Sequence, residues 1–247
     1  ARKLAPVRVF TGQKATDGAA GYGHSLVLKK DSSVWAWGDN LFGQLGNGGN
    51  TGQATPGKVK NITKVIRLGA GYNFSLAVKT DSTVWAWGEN SFGQLGDSST
   101  NASNIPIKVL IAKGVMDVAG GQNFSLALKY DGTVWAWGWN GYGNLGDASL
   151  TNQSAPVRVT NLDGVVSICA SSAVAFAVKG DGTVWGWGST SPSYQLLLLG
   201  ASPSNYWSPP VQLSALGSNI AFACPSSYAG FAVNRDGTAL RWGVWDY

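Results

Sequence analysis

The chain has 247 residues, 44% apolar and 13% charged, with a formal net charge of +5, enough to bury the core of one large β domain or two small ones. No apolar run approaches the roughly 18 residues of a membrane-spanning helix, and the basic residues form no run of five or more, which argues against nucleic acid as a partner. Gly (34) and Trp (12) are abundant, while Glu89 is the single Glu and Met116 the single Met, so short strands and tight turns are favoured over long helices.

The chain opens Ala1-Arg2-Lys3 with neither an initiator Met nor an apolar signal core, and reads as a processed or trimmed segment. The first predicted strand is Pro6-Val7-Arg8-Val9. From there the sequence repeats every fifty residues, which Asp31, Asp81, Asp131 and Asp181 mark before Asp236 follows after 55. The second unit shows the pattern whole. A predicted strand Val65-Ile66-Arg67-Leu68 ends in glycine-rich residues, and a second strand Ser75-Leu76-Ala77-Val78 follows. Asp81 then turns the chain; Asp with Gly or Ser between apolar runs is a strong hairpin signal. The strand Val84-Trp85-Ala86-Trp87-Gly88 comes next, then the loop Asn90-Ser91-Phe92-Gly93-Gln94-Leu95-Gly96 and the Pro-led strand Pro106-Ile107-Lys108-Val109. Lys29, Lys79, Lys129 and Lys179 recur once per unit and read as solvated strand edges guarded against aggregation.

Four short strands in about fifty residues make one propeller blade. The expectation is all-β: a single β-propeller over residues 1–247 with five four-stranded blades. The repeats run about 6–55, 56–105, 106–155, 156–209 and 210–247, the last completed by the amino-terminal strand. That strand (Pro6 to Val9) has a counterpart in every unit but lacks one after Trp242, so it is expected to latch the ring, which would be monomeric. Period-2 geometry points both tryptophans of each pair to one blade face and Val, Ala and Gly to the other. Trp35, Trp37, Trp85, Trp87, Trp135 and Trp137 are therefore expected to be buried between blades, rather than exposed as a ladder for sugars.

Gly71-Tyr72-Asn73-Phe74-Ser75-Leu76-Ala77-Val78, then Trp85-Ala86-Trp87-Gly88, then Asn90 to Gly96 resembles a repeat of the regulator of chromosome condensation family. The likeness covers nearly the whole chain. It implies a β-propeller, usually of seven blades, so five is a departure. The Trp-x-Trp flavour is similar to that of bacterial secreted or surface members, and with the low charge it implies an extracellular or cell-surface location.

Few titratable groups fall outside the repeat, so neither catalytic residues nor a cofactor are expected, and no Cys or His cluster has metal-ligand spacing. His24, the single histidine, has Phe74 and Phe124 as counterparts and reads as a packing residue. Cys169 and Cys224 share a repeat position with Ala19, Gly69 and Ala119, which favours buried free thiols. A disulfide between adjacent blades stays open if their Cα atoms approach within about 7 Å.

Two places vary where architecture does not dictate. The turns between the two inner strands carry Tyr22, Tyr72, Asn73, Gln122, Asn123 and Tyr228, and a ring would gather them at one channel mouth. Secreted β-lactamase inhibitors with similar repeats bind their enzyme through aromatics at this turn, so the resemblance implies a face for a protein partner. The fourth unit departs through Leu197, Leu198, Tyr206 and Trp207, a second candidate patch. The leading reading is a non-enzymatic protein-binding scaffold. The alternative is a lectin-like propeller taking a glycan, which Tyr72-Asn73 fits and Ser172-Ala173 does not. A guanine-nucleotide exchange or chromatin role rests on family membership alone, and fold does not fix function.

Overall fold

Each repeated turn aspartate closes a hairpin with its own side chain. Asp81 Oδ1 accepts hydrogen bonds from the Thr83 amide (3.2 Å) and hydroxyl (2.6 Å), while Ser82, at φ 60°, makes the reversal. Those bonds, the hydroxyl's first, hold the exposed Asp81 carboxyl below its ordinary pKa. The same pair recurs as Asp131–Thr133, Asp181–Thr183 and Asp236–Thr238.

The structure is a computed structural model that describes residues 8–10, 14–189, 207–226 and 229–243. The first sheet is β1 (Ala15–Ala20), β2 (His24–Lys29), β3 (Val34–Gly38) and β4 (Gln53–Lys58). The second is β5 (Val65–Ala70), β6 (Phe74–Lys79), β7 (Val84–Gly88) and β8 (Ser103–Lys108). The third is β9 (Val115–Gly120), β10 (Phe124–Lys129), β11 (Val134–Gly138) and β12 (Gln153–Arg158). The fourth is β13 (Val165–Ser171), β14 (Val174–Lys179), β15 (Val184–Ser189) and β16 (Trp207–Gln212). The fifth is β17 (Ile220–Pro225), β18 (Ala229–Asn234) and β19 (Ala239–Gly243). Every sheet is antiparallel and in sequence order. The first strands β1, β5, β9, β13 and β17 contact one another in succession, so the sheets stand like blades around an axis. This is a β-propeller architecture.

The proline of the outer strand sits inside it rather than leading it: Pro106 is the fourth residue of β8. Proline cannot donate to a ladder, and an outermost strand has a free side to spare. Glycine at the end of each Trp strand is a geometric need. Gly88 has φ +111°, and a Cβ there would lie 2.4 Å from the Asn73 carbonyl oxygen.

The paired tryptophans do different work. Trp87, Trp137 and Trp187 are fully buried and each packs into the core face of the preceding blade. Their indole Nε1 groups donate to the carbonyls of Gln44, Gln94 and Asn144, at 2.9, 2.8 and 2.9 Å. Trp85, Trp135 and Trp185 are half-buried, with the Lys79, Lys129 and Lys179 ammonium groups 5.1, 5.5 and 5.2 Å from their ring centroids. Against the period-2 expectation, both Trp35 and Trp37 of the first blade are half-buried, because no preceding blade among the described residues covers them. The outer tryptophans of the next three blades are likewise less buried than that reasoning expects. The repeated lysines cap these rings rather than merely facing solvent.

Cys169 and Cys224, on the neighbouring strands β13 and β17, form a disulfide with a Cα–Cα distance of 5.1 Å. This corrects the preference for free thiols: blade stacking brings the two inner strands within bonding reach.

At the chain ends, Pro6 and Val7 of the expected latch lie outside the described residues, and Arg8–Phe10 are outside any strand. Phe10 meets Trp35 and Trp37 edge-on, with centroids 5.9 and 6.0 Å apart. Among the described residues the fifth sheet has three strands, and Phe231 is 44% exposed where its counterparts Leu76, Leu126 and Phe176 are at 0%. Ring closure therefore stands as an expectation with a direct test. Phe10→Ala should cost about 1–2 kcal/mol of lost apolar burial. If residues 1–10 latch the ring, deleting them should lower the melting temperature far more; matching losses would remove the latch.

Candidate functional site at the blade mouth

In the first three blades the turn between the first two strands is built over a ring, that of His24, Phe74 or Phe124. At Gly71 and Gly121 an added Cβ would strike the Phe74 and Phe124 rings at 2.0 Å, so only glycine lets the chain cross there. Successive turns are then stitched together by backbone bonds. The Tyr22 amide donates to the Tyr72 carbonyl (3.1 Å), Tyr72 to Gln122 (3.4 Å) and Gln122 to Ser172 (2.8 Å). The expected gathering of Tyr22, Tyr72, Asn73, Gln122 and Asn123 at one mouth is what the structure shows. Tyr228 lies outside the described residues.

The Tyr22 and Tyr72 rings stack at 4.8 Å with 9° between planes, and Tyr22 is 76% exposed. Beside them opens a cavity of about 690 Å³, lined by both tyrosines, Asp39, Asn50, Thr51 and Asn73 among others. Asn73 Nδ2 donates to Glu89 Oε2 at 3.0 Å. The Asp39 amide donates to the Gly23 carbonyl (2.8 Å), so the long loop after β3 leaves the sheet at the same end as the turn. That loop is pinned from within. Asn40 Nδ2 donates to the Gly49 and Thr51 carbonyls, and its Oδ1 accepts from the Leu45 amide at 2.9 Å. Asn90 and Asn140 repeat the device. A wall so held is preorganised.

Asp39, Glu89 and Trp139, which the sequence does not single out, also stand at this end, their amides donating to the Gly23, Asn73 and Asn123 carbonyls. Trp139 follows its Trp strand as Asp39 and Glu89 follow theirs, and packs edge-on with Tyr142 at 5.1 Å; that shared position, directly after the glycine, was the available signal. Of the second patch, Leu197, Leu198 and Tyr206 lie outside the described residues, and Trp207 is the first residue of β16.

His24 lies beneath the mouth, 3% exposed. Its Nε2 is 3.0 Å from Ser75 Oγ, whose hydroxyl donates to the Gln44 carbonyl; Nε2 is therefore the protonated nitrogen. Nδ1 is buried without a partner. Burial lowers its pKa to about 4, against an opposing pull from Asp39. The unfolded chain takes up this proton near pH 6.5 and the folded one only near 4, so stability is lost as pH falls through that window. The loss should total about 3 kcal/mol. His24→Phe, the residue the second and third blades use, should abolish that share of the slope in urea titrations at pH 7 and pH 4.5. An unchanged slope would clear His24 of it.

Among the described residues no three His, Cys, Asp or Glu come together to hold a metal, and no helix is long and apolar enough to cross a membrane. What the mouth offers is an exposed surface rich in aromatic and amide side chains.

A stacked array of repeat blades with such a mouth defines a propeller-type repeat protein. The chain belongs to the RCC1-like domain family, whose model matches residues 1–228. It is similar to human WBSCR16, at 26% identity and TM-score 0.84, covering 96% of this chain and 64% of that one. It also shares the fold of yeast RCC1 (Prp20), solved bound to Kap60, at 23% identity and TM-score 0.80 over 94% of this chain and 56% of that one. Over 59 residues, 23% of this chain, it is 39% identical to the human E3 ubiquitin-protein ligase HERC2, of which it spans 1%.

Proposed function

We propose that the chain is a non-enzymatic, monomeric binding module that holds a protein partner on the mouth face, as part of a secreted or surface-attached bacterial protein. The observation that carries this reading is the exposed Tyr22–Tyr72 stack on a hydrogen-bonded frame. Tyrosine gives contact area with little rotamer entropy to lose, and nothing in blade packing requires it there. Yeast RCC1 (Prp20), which shares the fold, was solved bound to another protein, Kap60. The Cys169–Cys224 disulfide supports an oxidising compartment.

Hot spots concentrate in a few aromatic residues. Against a partner recovered from the native host, Tyr22→Ala and Tyr72→Ala should each weaken binding by roughly thirtyfold, with the melting temperature unchanged. Normal binding by both, with loss on changing Leu197, Leu198 or Trp207, would move the site to the fourth unit. The aromatic platform beside Asn50 and Asn73 also suits a glycan, and a glycan array with the same variants separates that second reading.

A further inference from the structure

The charge of this molecule is segregated by the fold. The mouth is made of the inner turns 21–23, 71–73, 121–123 and 172–173 and the long loops 39–52, 89–102 and 139–152. Within these segments the charged residues are Asp39, Glu89, Asp97 and Asp147, with no Lys or Arg of their own, although the Lys60 ammonium lies near Gly48 of the first loop and the chain as a whole carries +5. Lys29, Lys79, Lys129 and Lys179 end their strands at the opposite, hairpin side. Two of the four acids are consumed by the loops: Asp97 and Asp147 accept from Asn90 and Asn140 and from Ser99 and Ser149. Asp39 and Glu89 remain, at equivalent positions of adjacent blades: Asp39 lines the cavity with Tyr22 and Tyr72, and Glu89 lies behind Asn73. The Asp39 carboxylate lines the cavity and accepts no hydrogen bond among the described residues. Glu89 offers Oε1 once Oε2 has taken the Asn73 amide.

Resting on the protein-binding reading, we infer that this cavity is a socket for a cationic side chain, an arginine or lysine presented by a loop of the partner. The π-face of an exposed tyrosine attracts a cation within about 6 Å, and a guanidinium lying on Tyr22 also has a carboxylate within the same cavity to pair with. A neutral sugar stacks on the same ring but covers the Asp39 charge without compensating it, which is costly. Among the described residues no cation pairs with Asp39 either, since buried His24 stays uncharged at neutral pH. The cavity, about 690 Å³, has room for one long side chain and part of its backbone. The negative mouth of a positive molecule also orients an approaching basic loop.

The test uses small probes on the whole chain. Acetyl-Gly-Arg-Gly-amide, its citrulline counterpart and N,N′-diacetylchitobiose are titrated by two-dimensional NMR at low salt. The arginine peptide should bind saturably at millimolar concentration and shift the Gly23, Tyr72 and Asn73 amides. Citrulline should bind at least about fivefold more weakly, and Asp39→Asn and Tyr22→Ala should each weaken the arginine peptide by a similar factor at unchanged melting temperature. Equal binding of citrulline, no saturable binding, or tighter binding of the disaccharide at these amides overturns the socket. Failure of the socket is distinguishable from failure of the module. A protein partner lost on Tyr72→Ala but indifferent to Asp39→Asn, Glu89→Gln and salt defeats the socket alone. A partner indifferent to Tyr22→Ala and Tyr72→Ala as well defeats both.

Discussion

Trp137→Ala should destabilise the protein by about 3–5 kcal/mol, and Trp135→Ala by less than half of that, although the residues are two apart in one strand. Trp137 has no exposed surface and fills the space between the second and third blades, against Phe74, Leu76, Leu95 and Val109. Its removal leaves a cavity that two rigid sheets close only partly, and the Gln94 carbonyl loses its indole donor. Trp135 is half-buried at the rim, donating to Thr133 Oγ1. Its loss exposes a surface that water and the Lys129 chain can cover. Urea denaturation reads the difference as a shift in midpoint at constant slope. Equal losses at the two positions would mean that the tryptophans share one role.

Breaking the Cys169–Cys224 bond should cost about 4 kcal/mol, the chain-entropy value for a loop closed across 55 residues. The double variant Cys169→Ala, Cys224→Ala suits the site, because Ala19 and Ala119 already occupy the equivalent positions, so packing changes little. Its melting temperature should fall well below that of the oxidised parent and match that of the parent under reductant. A parent whose melting temperature ignores reductant would show that the bond is not formed in solution. The link joins the inner strands of the fourth and fifth blades. Its loss should therefore free the fifth blade first, visible as early exchange of the β17 and β18 amides.

Local chemistry was legible in the chain itself. Asp81 with its following Ser and Thr specifies a hairpin, because a short side-chain acceptor and a residue at positive φ make the turn from within. Val84 to Gly88 alternates for a strand packed on both faces, and the fifty-residue recurrence counts the blades. The inner turns could be singled out as a mouth because Tyr22, Tyr72 and Gln122 vary where Gly21, Gly71 and Gly121 do not.

Relations between blades required the tertiary structure. Trp85 and Trp87 point to the same face, so alternation gives them one fate; packing against the preceding blade buries the second and leaves the first half-buried under Lys79. The cysteines are far apart in sequence and meet because β13 and β17 are neighbours about the axis. Asp39 and Glu89 look like two instances of a repeat; stacking puts Asp39 in a cavity with the Tyr22–Tyr72 pair of two blades and gives Glu89 the Asn73 amide. The lysines that look evenly scattered along the chain fall at one end of the blades, because a period equal to the blade returns each to the same height. Periodicity determines what one blade is; the angle and spacing at which rigid blades pack decide which residues of different blades face each other.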